Sequence, residues 1–201
     1  MEIIFCDIYK GFIDQCEIMI KENPDLLKKY KLKTYFGDIR DLKIENAAYV
    51  SPANCLGSMG GGIDLLYSRE MFYGIDKIVM NKISKLETRG ALKRSFDNFG
   101  KSSNIPMLPI GQAIITEIEN EDYENCYLIT SPTMEYPMSI KYTDNAFKSF
   151  SACLQILEKE ENKDKNIKTI ICPGLGTGIG GMSPKQSVDQ IFRALKNALL
   201  L

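Results

Sequence analysis

The sequence predicts one α/β domain over residues 1–201, built on a mixed β-sheet with helices on both faces. Three observations lead there. Short apolar runs suited to buried strands alternate with longer stretches whose apolar residues recur at helical spacing. Two glycine-rich loops each follow a predicted strand and precede a predicted helix, which can open a ligand crevice at the carboxyl edge of such a sheet. The composition, 44% hydrophobic and 25% charged over 201 residues, suffices for a core that needs no disulfide or metal staple.

Taken in order, Glu2 to Ile8 is a short apolar strand. From Gly11 to Glu22, Phe12, Ile13, Cys16, Met19 and Ile20 fall on one helical face, and Asn23-Pro24 ends the helix. Leu32 to Phe36 and Ala47 to Val50 are strands on either side of Gly37-Asp38-Ile39. The first glycine-rich loop, Ser51 to Ile63, leads into a helix expected to start near Asp64 and to run to about Lys85. The polar stretch 87–106 is read as a further short helix and a loop ending at Pro106. Gly111 to Ile118 and Cys126 to Thr130 are two more strands, joined by the acidic turn Glu119 to Glu124. Asp144 to Glu160 is helical, with Ala146, Phe147, Phe150, Cys153, Leu154 and Leu157 on its apolar side. Lys168 to Cys172 is a buried strand. The second glycine-rich loop, Pro173 to Met182, enters a last helix from Pro184 to Leu200, where proline suits the first turn.

Composition also removes whole classes of chemistry. The chain has no histidine, which excludes Ser-His-Asp triads, Cys-His dyads and His-ligated metal sites. Acid–base work then falls to carboxylates, Lys, Tyr, Cys or water, and neither a metal nor a redox cofactor is expected. A formal charge of −1, from 25 basic and 26 acidic residues, argues against constitutive nucleic-acid binding. No two of the six cysteines have CxxC spacing, so a zinc ribbon or thioredoxin-like site is not expected. Reduced thiols in a cytoplasmic compartment are the natural reading. Glu2, Asp7, Lys10 and Asp14 interrupt any signal-peptide core, and the longest uncharged runs are rich in Gly, Ser, Pro and Asn. No membrane segment is therefore expected, and the chain is expected to be a monomer.

The two loops, Ser51 to Asp64 and Pro173 to Met182, carry the chemistry. Glycine lets the backbone turn through positive φ and lets a ligand approach main-chain N–H groups. Each loop also leads to the positive end of a helix, so two facing loops could hold a diphosphate with few cationic side chains. Gly176-x-Gly178-x-x-Gly181 formally matches a dinucleotide fingerprint. That motif needs a following strand and an acidic residue about 20 positions on, and here only one helix follows. Gly100-Lys101-Ser102 lacks the glycine five positions earlier that a P-loop needs, since position 95 is serine, so a phosphate-binding loop fits better than a Rossmann or P-loop site.

Together these motifs resemble the macrodomain (Appr-1″-p processing) family. The resemblance rests on Gly37-Asp38-Ile39, Ser51-Pro-Ala-Asn54, Gly60-Gly-Gly-Ile-Asp64 and the run Pro173 to Gly181, in that order over nearly the whole chain. More narrowly, SPAN, MGGGID, SPTM and PGLGTG are similar to a phage and bacterial type of macrodomain. The resemblance implies a three-layer α/β/α sandwich around a mixed six- or seven-stranded sheet that binds ADP-ribose. Some members of the family hydrolyse ADP-ribose attached to protein, nucleic acid or small acyl groups.

Position by position, the resemblance implies that Asp38 accepts a hydrogen bond from the adenine amino group, with Ile39 as the backbone donor beside it. Asn54 matches the asparagine that binds the distal ribose. Gly60, Gly61, Gly62 and Ile63 match the first diphosphate loop, and Gly176, Thr177, Gly178, Ile179 and Gly180 the second. Asp64 matches the aspartate that orients water in hydrolytic members, which makes Asn54 and Asp64 the catalytic candidates. At a helix start beside phosphates, Asp64 is expected to stay ionised. On the residues alone, Asp64 could be a helix N-cap, and Asp38 and Asn54 turn residues. The sequence departs from the pattern at Gly180 and Met182, where many relatives carry aromatics, and at Ser68, where hydrolytic ones often carry histidine. Ser131 to Met134 ends a strand that could line the same crevice. The implied partner is ADP-ribose or an ADP-ribosylated molecule, either hydrolysed or only read by a binding module.

Overall fold

Strands that alternate with helices pair in parallel, and here five of them do. In the computed structural model, which describes residues 1–86, 92–96 and 102–200, the chain opens with β1 (Glu2–Asp7), α1 (Lys10–Glu22), β2 (Lys31–Phe36) and β3 (Ala47–Ser51). It continues with α2 (Gly62–Leu66), α3 (Ile75–Ser84), β4 (Leu92–Phe96), β5 (Ser102–Pro106) and β6 (Ile114–Glu117). The last elements are β7 (Tyr127–Thr130), α4 (Asn145–Glu158), β8 (Thr169–Cys172) and α5 (Pro184–Leu199). The main sheet has six strands in the order β2-β1-β8-β3-β7-β6, all parallel except β6, which runs antiparallel to β7.

Side-chain alternation along each strand sends its residues to two separate apolar layers. Ile3 and Phe5 of β1, Ala48 and Val50 of β3, and Ile170 and Cys172 of β8 meet α1, α4 and α5. Phe5 sits between Phe192 and Phe150 there, with ring centroids 5.5 and 6.5 Å away. On the opposite face, Tyr49, Leu128 and Ile171 meet α3 and the segment before it, where Tyr49, Tyr67, Phe72 and Tyr123 form an aromatic cluster. The three-layer arrangement follows from that two-sided burial. All six cysteines are buried. Among the described residues, no helix is long and apolar enough to cross a membrane.

Three expectations need correction. The helix read from Asp64 to Lys85 is broken: α2 gives way to a π-turn over Tyr67–Met71, and α3 begins after Gly74. Burial of Phe72 against the Tyr67 ring, at 5.5 Å, turns the chain inward, and Gly74 resets it at φ +81. In 87–106, β4 and β5 form an antiparallel pair rather than a helix and loop, and the remainder of that stretch lies outside the described residues. The strand read from Gly111 is shorter, because Gly111 turns at φ +90 and ladder pairing starts only at Ile114.

Candidate functional site

Because β2, β1, β8, β3 and β7 are mutually parallel, their carboxyl ends share one edge, and a cleft of about 720 Å³ opens there. Each strand brings its following loop to it. β2 delivers Asp38 and Ile39, β1 delivers Asp7 and Ile8, and β7 delivers Thr133 and Met134. The glycine-rich loops leave the neighbouring strands β3 and β8. They bring Asn54, Gly60, Gly61, Gly62, Ile63 and Asp64 from one side and Gly176, Thr177, Gly178, Ile179 and Gly180 from the other. Every residue assigned from the sequence therefore lines one cavity. From β2 to β3 is three strand spacings, ~14 Å.

The loops approach each other closely, and a Cβ on Gly61 would lie 3.8 Å from Ile179 Cδ1. Gly62 enters α2 at φ +56, which an L side chain rarely adopts. At Gly176, with φ +73, a Cβ would also collide with Ile140 Cδ1 at 2.9 Å. Gly60 and Gly178 differ, because a Cβ on either meets nothing within 4 Å. Their bareness leaves space in the cleft rather than serving the fold. Each loop is tied down from behind. The Ser68 hydroxyl donates to the Met59 carbonyl at 3.2 Å, and the Ser187 hydroxyl donates to the Leu175 carbonyl at 2.7 Å. The first turn of α5 is closed by its own Ser183–Gln186 capping box. Gly176 to Gly180 of the second loop line the cleft, whereas the first turn of α5 does not.

Asp38 caps the short turn after β2, and its carboxylate is already engaged. Oδ1 accepts from the Arg40 backbone at 2.9 Å and from its Nε at 3.0 Å, while Oδ2 accepts from Nη2 at 2.6 Å. The Arg40 guanidinium holds the Asp38 carboxyl below the usual carboxylate range. Arg40 also reaches Glu70 at 2.5 Å. Asn54 plays the turn role as well: Oδ1 accepts from Leu56 and Ser58 N–H at 3.0 and 3.2 Å, and Nδ2 donates to the Ser58 carbonyl at 3.3 Å. Asp38 and Asn54 thus shape the loops on which they face the cleft.

Asp64 is not the N-cap of α2, a position held by Gly61. It is 9% exposed, and its Oδ1 accepts from the Ser51 hydroxyl at 2.6 Å. The expectation of a fully ionised carboxylate does not hold. Burial pushes Asp64 up to about 7, only partly offset by the Ser51 bond. Among the aromatics near it, Tyr67 and Phe72 are buried in the core, whereas Tyr73 is exposed.

Several contributors were not legible as site residues. Arg40 directly follows the GDI motif, and Ser51 opens the SPAN motif, yet neither is assigned a role by the motif alone. Asp7 lines the cleft and accepts from the Gly174 N–H at 3.2 Å, joining β1 to the second loop. Thr133 and Met134 line the cleft, and Asn54 bridges to Met134, whereas Ser131 is buried and bonded to Ser149.

A family model, the Macro domain, matches residues 50–191, from the end of β3 through both glycine-rich loops into α5. The chain belongs to the macrodomain family. Asp38 and Ile39 precede the matched span, but the cleft joins them to it. A protein of Aquifex aeolicus is 26% identical over 155 residues, covering 77% of this macrodomain and 74% of that protein. The macrodomain of Mycobacterium tuberculosis DarG has the same fold, with a TM-score of 0.57 at 18% identity, over 81% of this chain and 88% of that one. Thermosipho africanus DarTG, solved in complex with ADP-ribose, aligns with a TM-score of 0.53 at 13% identity. That alignment covers 90% of this chain and about half, 48%, of the other.

Proposed function

We propose that this macrodomain binds ADP-ribose in the carboxyl-edge cleft and hydrolyses it from a conjugate. The observation that carries the reading is the meeting of three elements in one cavity: Asp38 after β2, and the glycine-rich loops after β3 and β8. Asp38 and Ile39 would take the adenine at one end. The amides of Gly60–Ile63 and Gly176–Gly180 would clasp the diphosphate, and Asn54 and Asp64 would face the distal ribose. The Thermosipho africanus relative, solved with ADP-ribose, supports this ligand. Backbone donors suit a cleft whose walls hold Asp7, Asp38 and Asp64 but, among the described lining residues, only Arg40 as a cation.

In the hydrolytic step, ionised Asp64 accepts a proton from water as the water oxygen bonds to the anomeric carbon of the distal ribose. The bond from that carbon to the conjugate breaks, and the proton is passed to the leaving group. A carboxylate whose proton leaves near pH 7 is matched to this work. A reader without turnover is the second reading, favoured by the commitment of the Asn54 amide to its own loop.

Calorimetric titration with ADP-ribose, NAD and ATP tests the ligand, and ADP-ribose is expected to bind selectively. Equal affinity for ATP, or no heat with ADP-ribose, would refute it. Asp38→Ala is expected to weaken ADP-ribose binding by roughly 1.5–3 kcal/mol, the worth of a hydrogen bond to a charged acceptor. Because Arg40 keeps Glu70 as a partner, the fold should survive the change.

A further inference from the structure

We propose that Ser51 is the positioning residue that aims Asp64 at the reacting water: its hydroxyl holds Oδ1 and leaves Oδ2 for the cleft, an inference that rests on the reading of Asp64 given above. Ser51 ends β3, fully buried, and reaches across 13 residues to Asp64 at 2.6 Å. Asp64 lines the cleft and Ser51 does not, so Ser51 can act on a ligand only through the carboxylate. A serine at a strand end can readily satisfy itself on nearby backbone. Here its short bond goes to a side chain on the next element.

Among the described residues, Ser51 is the side chain that favours the ionised state of Asp64. Tyr67, behind it on the π-turn, is fully buried and donates to the Val50 carbonyl at 3.3 Å. Cys6 of β1 and Tyr49 of β3 lie on the same side of the sheet as Tyr67, and Cys172 of β8 lies on the other. Burial pushes Cys6 up to about 12 and raises Tyr67, Tyr49 and Cys172 as well, so none carries charge near neutrality. Of the charged groups lining the cleft, Asp7 and Asp38 are acidic, and the Arg40 charge is taken by Asp38 and Glu70. The Ser51 hydroxyl is thus the group that both orients the carboxylate and favours its ionised form.

Removing that hydroxyl must raise the pH at which Asp64 loses its proton, because the bond stabilises the charged form. In Ser51→Ala, the Asp64 carboxyl, followed by carbon-13 NMR in the ligand-free protein, is expected to titrate about 1–2 pH units higher. The acid limb of the turnover profile is expected to move with it. Ser51→Thr, which restores the hydroxyl, should return both. Thr130 pairs with Ser51 in the adjacent strand, and its buried hydroxyl has no hydrogen-bond partner. Thr130→Val should therefore leave the Asp64 titration in place. Should Ser51→Ala not fold, Ser51→Cys keeps the volume with a weaker donor and should give a smaller shift in the same direction. An Asp64 titration that does not move in these variants overturns the role of Ser51. A titration that moves while the rate profile stays put overturns the catalytic assignment of Asp64, and the aim of Ser51 with it.

Discussion

Asp64→Asn is expected to abolish the proposed turnover of an ADP-ribose conjugate, to keep ADP-ribose affinity within about tenfold (~1.4 kcal/mol), and to make the protein more stable above pH 7. The loss of rate should be at least 10²–10⁴-fold, the usual contribution of a positioned general base. Stability moves the other way because the carboxylate is buried. Its folded-state value of about 7 lies above the ordinary 3.8, so the folded protein binds the extra proton between these limits. The contribution of Asp64 is therefore fully present below pH 4 and declines as pH rises to about 7. Over that window it amounts to ~4 kcal/mol, at 1.36 kcal/mol per pH unit. Asn keeps the oxygen that accepts from Ser51 and carries no charge. Unfolding the two proteins in urea at pH 5 and pH 8 isolates the effect, since Asp38 and Glu2, whose values are lowered by their basic partners, are common to both. The wild type should lose ~2–3 kcal/mol more than the variant across that interval. Equal losses would show that Asp64 does not titrate near pH 7 in the folded protein, and surviving turnover would remove it from the reaction.

Gly178→Val is expected to reduce ADP-ribose affinity by at least 100-fold, ~2.7 kcal/mol, while the melting temperature stays close to that of the wild type. The two halves of this expectation share one cause. Gly178 has no positive φ, and a Cβ there meets no atom within 4 Å, so the free protein accommodates a side chain. The space it enters is the cleft between the loops, where the diphosphate would lie. Gly180 makes the contrast: a Cβ there would stand 2.6 Å from the Gly176 carbonyl oxygen, so substitution damages the loop itself. Unchanged binding by Gly178→Val in calorimetry would take the second loop out of ligand recognition.

Much of the fold was legible because burial on two sides writes itself into strands. Ile3 to Cys6, Ala47 to Val50 and Ile170 to Cys172 are continuous apolar runs, as strands covered by helices on both faces must be. Helix α5 was legible to within a residue, since Pro184 suits a first turn, and the structure adds the Ser183–Gln186 capping box. The break between α2 and α3 was not. The stretch Asp64 to Lys85 keeps helical spacing throughout, and only the burial of Phe72 against Tyr67 and Tyr49 bends it. The β4–β5 pair was missed for a different reason, because residues 92–96 and 102–106 lack the apolar alternation that marks a strand.

For the site, the residues alone marked two glycine-rich loops, and the resemblance to the macrodomain family singled out Asp38, Asn54 and Asp64, because motifs and close backbone approach are local features of the chain. Tertiary structure decided what state those groups are in. The protonation of Asp64 depends on how deeply α2 sinks it beside Ser51, and the availability of Asp38 depends on an Arg40 fork drawn toward Glu70. Desolvation and pairing are sums over neighbours distant in the chain, so no motif read along the sequence contains them.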